Sequence, residues 1–105
     1  MTTKNFEQLK QDVIQWACER RIIPNAKASS QLLKAVSEMG ELCDAENHDD
    51  TLEIKDAVGD VLVCLINYCA LREIDIVDCL NGAYEVIKDR KGTLMPSGVF
   101  VKDGK

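Results

Sequence analysis

Polar and apolar positions alternate with helical period along most of this 105-residue chain. Phe6, Leu9, Val13, Trp16 and Ala17 recur three and four residues apart, as one face of a helix requires. They predict a first helix over about 4–21, broken by Pro24 and Asn25. Leu32, Val36, Met39 and Cys43 form the next stripe, predicting a helix over 29–46 that buries this stripe in the core. Ser29 or Ser30 is placed to cap it. The cluster NHDD, residues 47–50, marks a turn, and Asp50 followed by Glu53 reads as a capping-box variant opening a third helix over 51–71. Asp75 caps a fourth helix over 76–90, with Gly92 as its stop. The remainder, 92–105, holds a Pro-Ser-Gly turn and a short apolar stretch, Val99 to Val101, and reads as an extended tail that packs loosely or against a partner. Four helices with short connections predict one domain over 1–105, an all-α four-helix antiparallel bundle.

The third helix departs from simple amphipathicity. Val61 through Ile66 are six consecutive apolar residues and cover every face. A helix apolar all round is buried all round, whereas a four-helix monomer leaves one face wet. A subunit interface over the extra face resolves this, so the chain is expected to form a homo-oligomer, dimer or tetramer. Its small size points the same way, because a domain this short buries a modest fraction of its surface.

Into this apolar helix the sequence inserts carboxylates. On a helical wheel Glu53, Asp56, Asp60 and Asn67 fall within about one quadrant. An unpartnered buried carboxylate is costly. Either Asp60 is tied to a Lys, Arg or backbone N–H, or the quadrant faces a metal ion. On the second helix Lys34, Glu38 and Glu41 lie opposite the Leu32 stripe, either as a solvated face with a Lys34–Glu38 pair or as the other half of that metal site. Two carboxylates one turn apart on each of two facing helices give four hard oxygen donors, a set that suits Mg²⁺ completed by water and phosphate oxygens. Zinc is disfavoured because His48 is the only histidine, and the Glu-x-x-His pattern of di-iron bundles is absent.

Composition narrows the classes further. A net charge of -5 argues against a nucleic-acid polymer as partner. The longest uncharged run, Val61 to Leu71, is too short to span a bilayer, so no membrane role is expected. Five cysteines, an odd number without a CxxC, read as small core residues of a reducing cytoplasm. The start MTTKNFEQLK has no apolar region of the kind a signal peptide carries.

The segments KAVSEMGEL (Lys34 to Leu42), DAVGDVLVCLIN (Asp56 to Asn67), EVIKDRKG (Glu85 to Gly92) and GVFVK (Gly98 to Lys102) resemble the MazG-type all-α nucleoside triphosphate pyrophosphohydrolases, notably the small single-domain form carried by phages. The resemblance spans roughly Trp16 to Lys102. Against the family's pattern, Glu-Glu-x-x-Glu, a spacer and then Glu-x-x-Asp, the chain offers Glu38, Glu41 and Asp60 in register. Ser37 and Ala57 stand where further glutamates are usual, and Asp56 is the expected replacement at position 57, with Glu53 in reserve. The resemblance implies metal-dependent hydrolysis of an NTP or dNTP to monophosphate and pyrophosphate in the cytoplasm, the host's if the chain is phage-encoded. It implies Mg²⁺, with Mn²⁺ the alternative, on Glu38, Glu41, Asp56 and Asp60, with Glu38 and Glu41 also catalytic. Lys34, Lys88, Arg90 and Lys91 are the candidates for the phosphates, Asn67 for a substrate hydrogen bond and Trp16 for stacking on the base. Ala57 keeps an alternative open: a catalytically silent helical oligomer that binds nucleotide or a protein partner.

Overall fold

A computed structural model describes residues 3–104. The order is α1 (Phe6–Glu19), α2 (Ile22–Asn25), α3 (Ala28–Asn47), α4 (Thr51–Leu71), α5 (Ile76–Ile87), β1 (Gly92–Leu94) and β2 (Phe100–Lys102). The chain is all-α apart from the terminal hairpin. Asn5 and Gln8 close a reciprocal capping box on α1. The Asp50 carboxylate accepts from the Glu53 N–H at the start of α4, and Asp75 accepts from the Val77 N–H at the start of α5. The serines expected to cap α3 do not: the helix opens at Ala28, behind Lys27, two to three residues before them, with no side-chain cap. Pro24 does not simply end the first helix but sits in the single turn α2, behind a cis Ile23–Pro24 bond. No described helix is long and apolar enough to cross a membrane.

The body is the antiparallel α3–α4 hairpin with α1 laid on α4. Ala28, Gln31, Ala35, Glu38, Leu42 and Ala45 recur at alternating three- and four-residue spacing and are the least exposed positions of α3. Opposite them α4 buries Ala57 and Cys64. These small side chains let the two helices approach closely, as coiled-coil-like packing at small residues allows. The seam is therefore not the stripe the sequence pattern singled out. Leu32, Val36 and Met39 are 40%, 69% and 46% exposed, and Cys43 is exposed too. Helix α3 is turned by about a quarter turn from the expected orientation.

Helix α5 leaves the body. Every residue from Asp78 to Lys91 is exposed, including Leu80, Tyr84, Val86 and Ile87. Its start is pinned by Lys10, a buried lysine of α1 whose Nζ lies 2.8 Å from Asp75 and 2.8 Å from Glu7. Gly92, expected to stop this helix, instead opens the hairpin, paired with Lys102. A Cβ there would collide with the Val101 carbonyl oxygen, so only glycine fits. Gly98 takes φ 90 in the turn. With this arm extended the radius of gyration is 16.5 Å, against about 13 Å for a compact domain of this length. The accessible surface is 8273 Å², where a compact 11.7 kDa monomer would expose about 5,900 Å².

The cysteines also divide differently from expectation. Cys64 and Cys69 are buried in α4, while Cys18, Cys43 and Cys79 are exposed, and all five are free thiols. Burial pushes the Cys64 and Cys69 thiols up.

Candidate functional site

The seam that positions α3 on α4 carries one acidic residue among its alanines. Glu38 occupies a core-facing position of the repeat, half-buried, and its Oε2 has no hydrogen-bond partner. Its carboxyl is held above the ordinary carboxylate range, first by the neighbouring Glu41 carboxyl, then by burial and by Asp60 across the seam. Lys34, one turn back on α3, pulls in the opposite direction. Three carboxyl groups thus crowd one locality with a single lysine beside them. An orphaned buried oxygen and mutual repulsion among hard oxygen donors are what a divalent cation relieves. The side chains present fit such an ion, although among the described residues no three carboxylate, histidine or cysteine side chains converge tightly enough to grip one as they stand.

Two concavities flank the seam. The first, about 420 Å³, is lined by Glu41, Asp44, Ala45, His48, Asp50, Glu53 and Asp56. It gathers the α3 C-terminus and the α4 N-terminus into an acidic bowl and contains both Asp56 and its reserve Glu53. The second, about 410 Å³, is lined by Leu9, Asp12, Val13, Trp16, Asp60 and Val63. It is largely apolar, with Asp60 and Asp12 as its only charged lining. Glu41 and Asp56 share the lining of the first concavity and Asp60 lines the second, while Glu38 lines neither. Ala57, the position of the displaced family glutamate, is only 5% exposed.

Trp16 is 42% exposed, with the Arg20 guanidinium 4.6 Å from its ring centroid, and its face forms part of the Asp60 concavity. Asn67 is 2% exposed on α4, and its Oδ1 is a second orphaned buried acceptor. It lies two turns beyond Asp60 on the same side of the helix. The remaining candidates are elsewhere in the chain. Lys88 pairs with Glu85 at 2.7 Å. Arg90 and Lys91 line a separate concavity of about 570 Å³ with Val86, Asp89, Lys102 and Asp103. None of the carboxylates of the seam shares that lining.

Sequence reasoning missed Asp12, Lys102 and the acidic bowl residues Asp44 and Asp50. Asp12 could have been found from its spacing, one turn before Trp16 and next to Val13 on the face of α1 that meets α4. Lys102 had no such signal, because its place depends on the register of the hairpin.

The family model of the MazG nucleotide pyrophosphohydrolase domain matches residues 27–95, well over half of the chain. An uncharacterized 18.2 kDa protein from the rep-hol intergenic region of Haemophilus phage HP1 is 33% identical over 75 residues, which is 70% of this chain and 45% of that protein. The chain thus spans under half the length of this curated relative. Among solved structures, the cyanophage S-2L MazG-like pyrophosphohydrolase bound to dGDP and three catalytic Mn²⁺ ions per active site superposes with a TM-score of 0.70 over 97% of this chain and 96% of that one, at 19% identity. The family model's match over residues 27–95, with the 33% identity to the phage HP1 protein, places the chain in the MazG nucleotide pyrophosphohydrolase family.

Proposed function

We propose that the chain hydrolyses a nucleoside triphosphate, NTP or dNTP, to the monophosphate and pyrophosphate at the α3–α4 seam. The observation that carries this reading is the half-buried Glu38, with an orphaned Oε2 and a carboxyl pushed up by Glu41 and Asp60. Glu38, Glu41, Asp56 and Asp60 hold the divalent cation, Mg²⁺ or Mn²⁺. When bound, such an ion neutralises phosphate oxygens and makes water a better nucleophile at neutral pH. The three catalytic Mn²⁺ ions and the dGDP of the cyanophage S-2L protein, which shares the fold, support both the metal and the nucleotide.

The chain's own groups account for the rest. Glu38 Oε2 takes the proton of the attacking water, a role suited to a carboxyl with raised proton affinity. Glu41, one turn on, orients that water and shares the proton. Lys34 faces the phosphates. Trp16 stacks on the base in the apolar concavity beside Asp60, and Asn67 accepts a hydrogen bond from the substrate at its orphaned Oδ1. The chain also self-associates, because its accessible surface exceeds that of a compact monomer by about 2,400 Å².

Ala57 favours one second reading. A buried alanine at a position where the family carries a ligand removes a donor, which fits a catalytically silent protein that binds nucleotide or a protein partner. The two separate in a panel of NTPs and dNTPs incubated with Mg²⁺ and scored for monophosphate and pyrophosphate. Turnover of any member supports hydrolysis. Binding without turnover across the panel supports the silent reading.

A further inference from the structure

The joint between α4 and α5 carries two thiols that face each other. Cys69 lies in the last turn of α4 and is buried, and Cys79 lies in the first turn of α5 and is exposed. The backbone between them folds back on itself. The Cys69 carbonyl accepts from the Ile74 N–H at 2.9 Å, and the Cys79 N–H donates to the Asp75 carbonyl at 3.0 Å. The two side chains, on neighbouring helices, thereby come into hydrogen-bond contact. Neither cysteine lines the concavities beside the seam, and hydrolysis there uses neither thiol. The segment they bracket holds Asp75, which Lys10 pins to α1, and from Asp78 to Lys91 the arm is exposed. The direction in which the arm leaves the body is set at this joint.

We propose that Cys69 and Cys79 form a thiol-modification site, a dithiol that exchanges with a small glutathione-type disulfide and closes reversibly to an intrachain disulfide stapling the foot of α5 to α4. Exposure divides the labour. The Cys79 thiolate, open to solvent, attacks one sulfur of the small disulfide; the S–S bond breaks, one small thiolate leaves, and a mixed disulfide stands on Cys79. Cys69 then gives its proton to water, and its sulfur attacks the Cys79 sulfur and expels the second small thiolate. The protein gives up two thiol protons and two electrons, and the small disulfide takes both electrons and leaves as two thiols. Burial, with Cys79 and Asp75 nearby, holds the Cys69 thiol above the ordinary cysteine range. Cys69 therefore stays protonated and inert toward outside oxidants, and reacts once Cys79 presents a disulfide beside it. Two thiols already in contact need little backbone movement to close. The closed ring restricts the unfolded chain and fixes the angle between α4 and α5.

The test incubates the fully reduced chain with glutathione disulfide, quenches it with an alkylating reagent and maps the peptides by mass spectrometry. The expected product is a chain lighter by two hydrogens, with its peptides joined at Cys69 and Cys79, and dithiothreitol should return the parent. Cys69→Ser should halt at a mixed disulfide on Cys79, and Cys79→Ser should leave Cys69 unmodified. A chain with Cys18→Ser and Cys43→Ser should close as the parent does. Circular dichroism verifies the fold of each variant, and the parent's own map decides the pairing without them. Relative to the reduced parent, the oxidised one should melt higher by roughly 10 °C, and amides 72–80 should exchange hydrogen more slowly. A parent that carries glutathione on Cys79 and never closes overturns the proposal. So does a parent that joins either cysteine to Cys18, Cys43 or Cys64 instead. A closed Cys69–Cys79 bridge that leaves both the melting temperature and the exchange of 72–80 unchanged also overturns it, because the joint would then gain no restraint. These readouts are masses, melts and exchange rates, so they decide the point whatever the seam hydrolyses.

Discussion

Leu80→Ala should weaken self-association strongly while leaving the fold of each chain intact. Leu80 is 58% exposed in the single chain, so within that chain its truncation removes much less packing than a core substitution would. Covered by a second copy, it would bury roughly 100 Å² of apolar surface, about 2.5 kcal/mol at 25 cal/mol/Å². Truncation to alanine forfeits about 2 kcal/mol of that in each copy, and a two-fold contact uses the residue twice. The total of about 4 kcal/mol corresponds to roughly a thousandfold rise in the dimer dissociation constant. Sedimentation across a dilution series reads the constant, and far-UV circular dichroism at high concentration verifies the helix content. Val36→Ala, on the exposed stripe of α3, should act in the same direction. An unchanged dissociation constant for both variants would refute the reasoning, since Leu80 and Val36 would then be surface residues with nothing against them.

The carboxylates invite a graded series. Asp56→Asn and Asp60→Asn should each cost activity on the order of a hundredfold, as loss of a metal ligand does. Glu53→Gln should cost far less, and Ala57→Glu in the Asp56→Asn background should restore part of the rate. Steady-state rates on one substrate check the ranking, which fails if Asp56→Asn is neutral. Mg²⁺ or Mn²⁺ should raise the melting temperature, because a ligand bound only by the folded state stabilises it, and Glu41→Gln should abolish the shift in a thermal melt. The Lys10–Asp75 contact predicts a pH dependence. The Lys10 ammonium holds the Asp75 carboxyl below its ordinary range, so this stabilisation is present above the unfolded carboxylate pKa and lost as acid carries the pH through the lowered one. Lys10 is in turn held above the ordinary lysine range, mainly by Asp75 and Glu7, so its share is intact below the unfolded lysine pKa and lost as alkali passes the raised one. Melts across pH should show Asp75→Asn flattening the acid limb, and an unaltered limb would contradict the assignment.

Much of this architecture is legible in the sequence because its signals are local. Asp50 and Asp75 accept from the first free N–H groups of their helices, a contact decided within three residues. The acidic pair on α3 and the aspartates of α4 stand out by spacing alone. The orientation of α3 was not legible in the same way. Leu32, Val36 and Met39 announce a need for burial, but hydrophobicity does not say which surface answers it. The intrachain seam falls to Ala35 and Ala45, which allow close approach while adding little to the apolar pattern. Glu38 consequently looks like a solvated residue on a wheel and is half-buried in the fold. Lys88, Arg90 and Lys91 were expected at the phosphates, but Lys88 pairs with Glu85 and the other two line a concavity apart from the carboxylates of the seam. Their distance from the carboxylates depends on where α5 points, and the contact that fixes its start joins Lys10 to a residue 65 positions away.

The central claim is that Glu38, at the α3–α4 seam, serves the hydrolysis of a nucleoside triphosphate. Its most direct test compares the parent with Glu38→Gln, a nearly isosteric change, on the best nucleotide of an NTP and dNTP panel with Mg²⁺. The parent should release equal amounts of monophosphate and pyrophosphate, and the variant should lose activity on the order of a hundredfold or more. Diphosphate and orthophosphate as products, or parental turnover by Glu38→Gln, would contradict it.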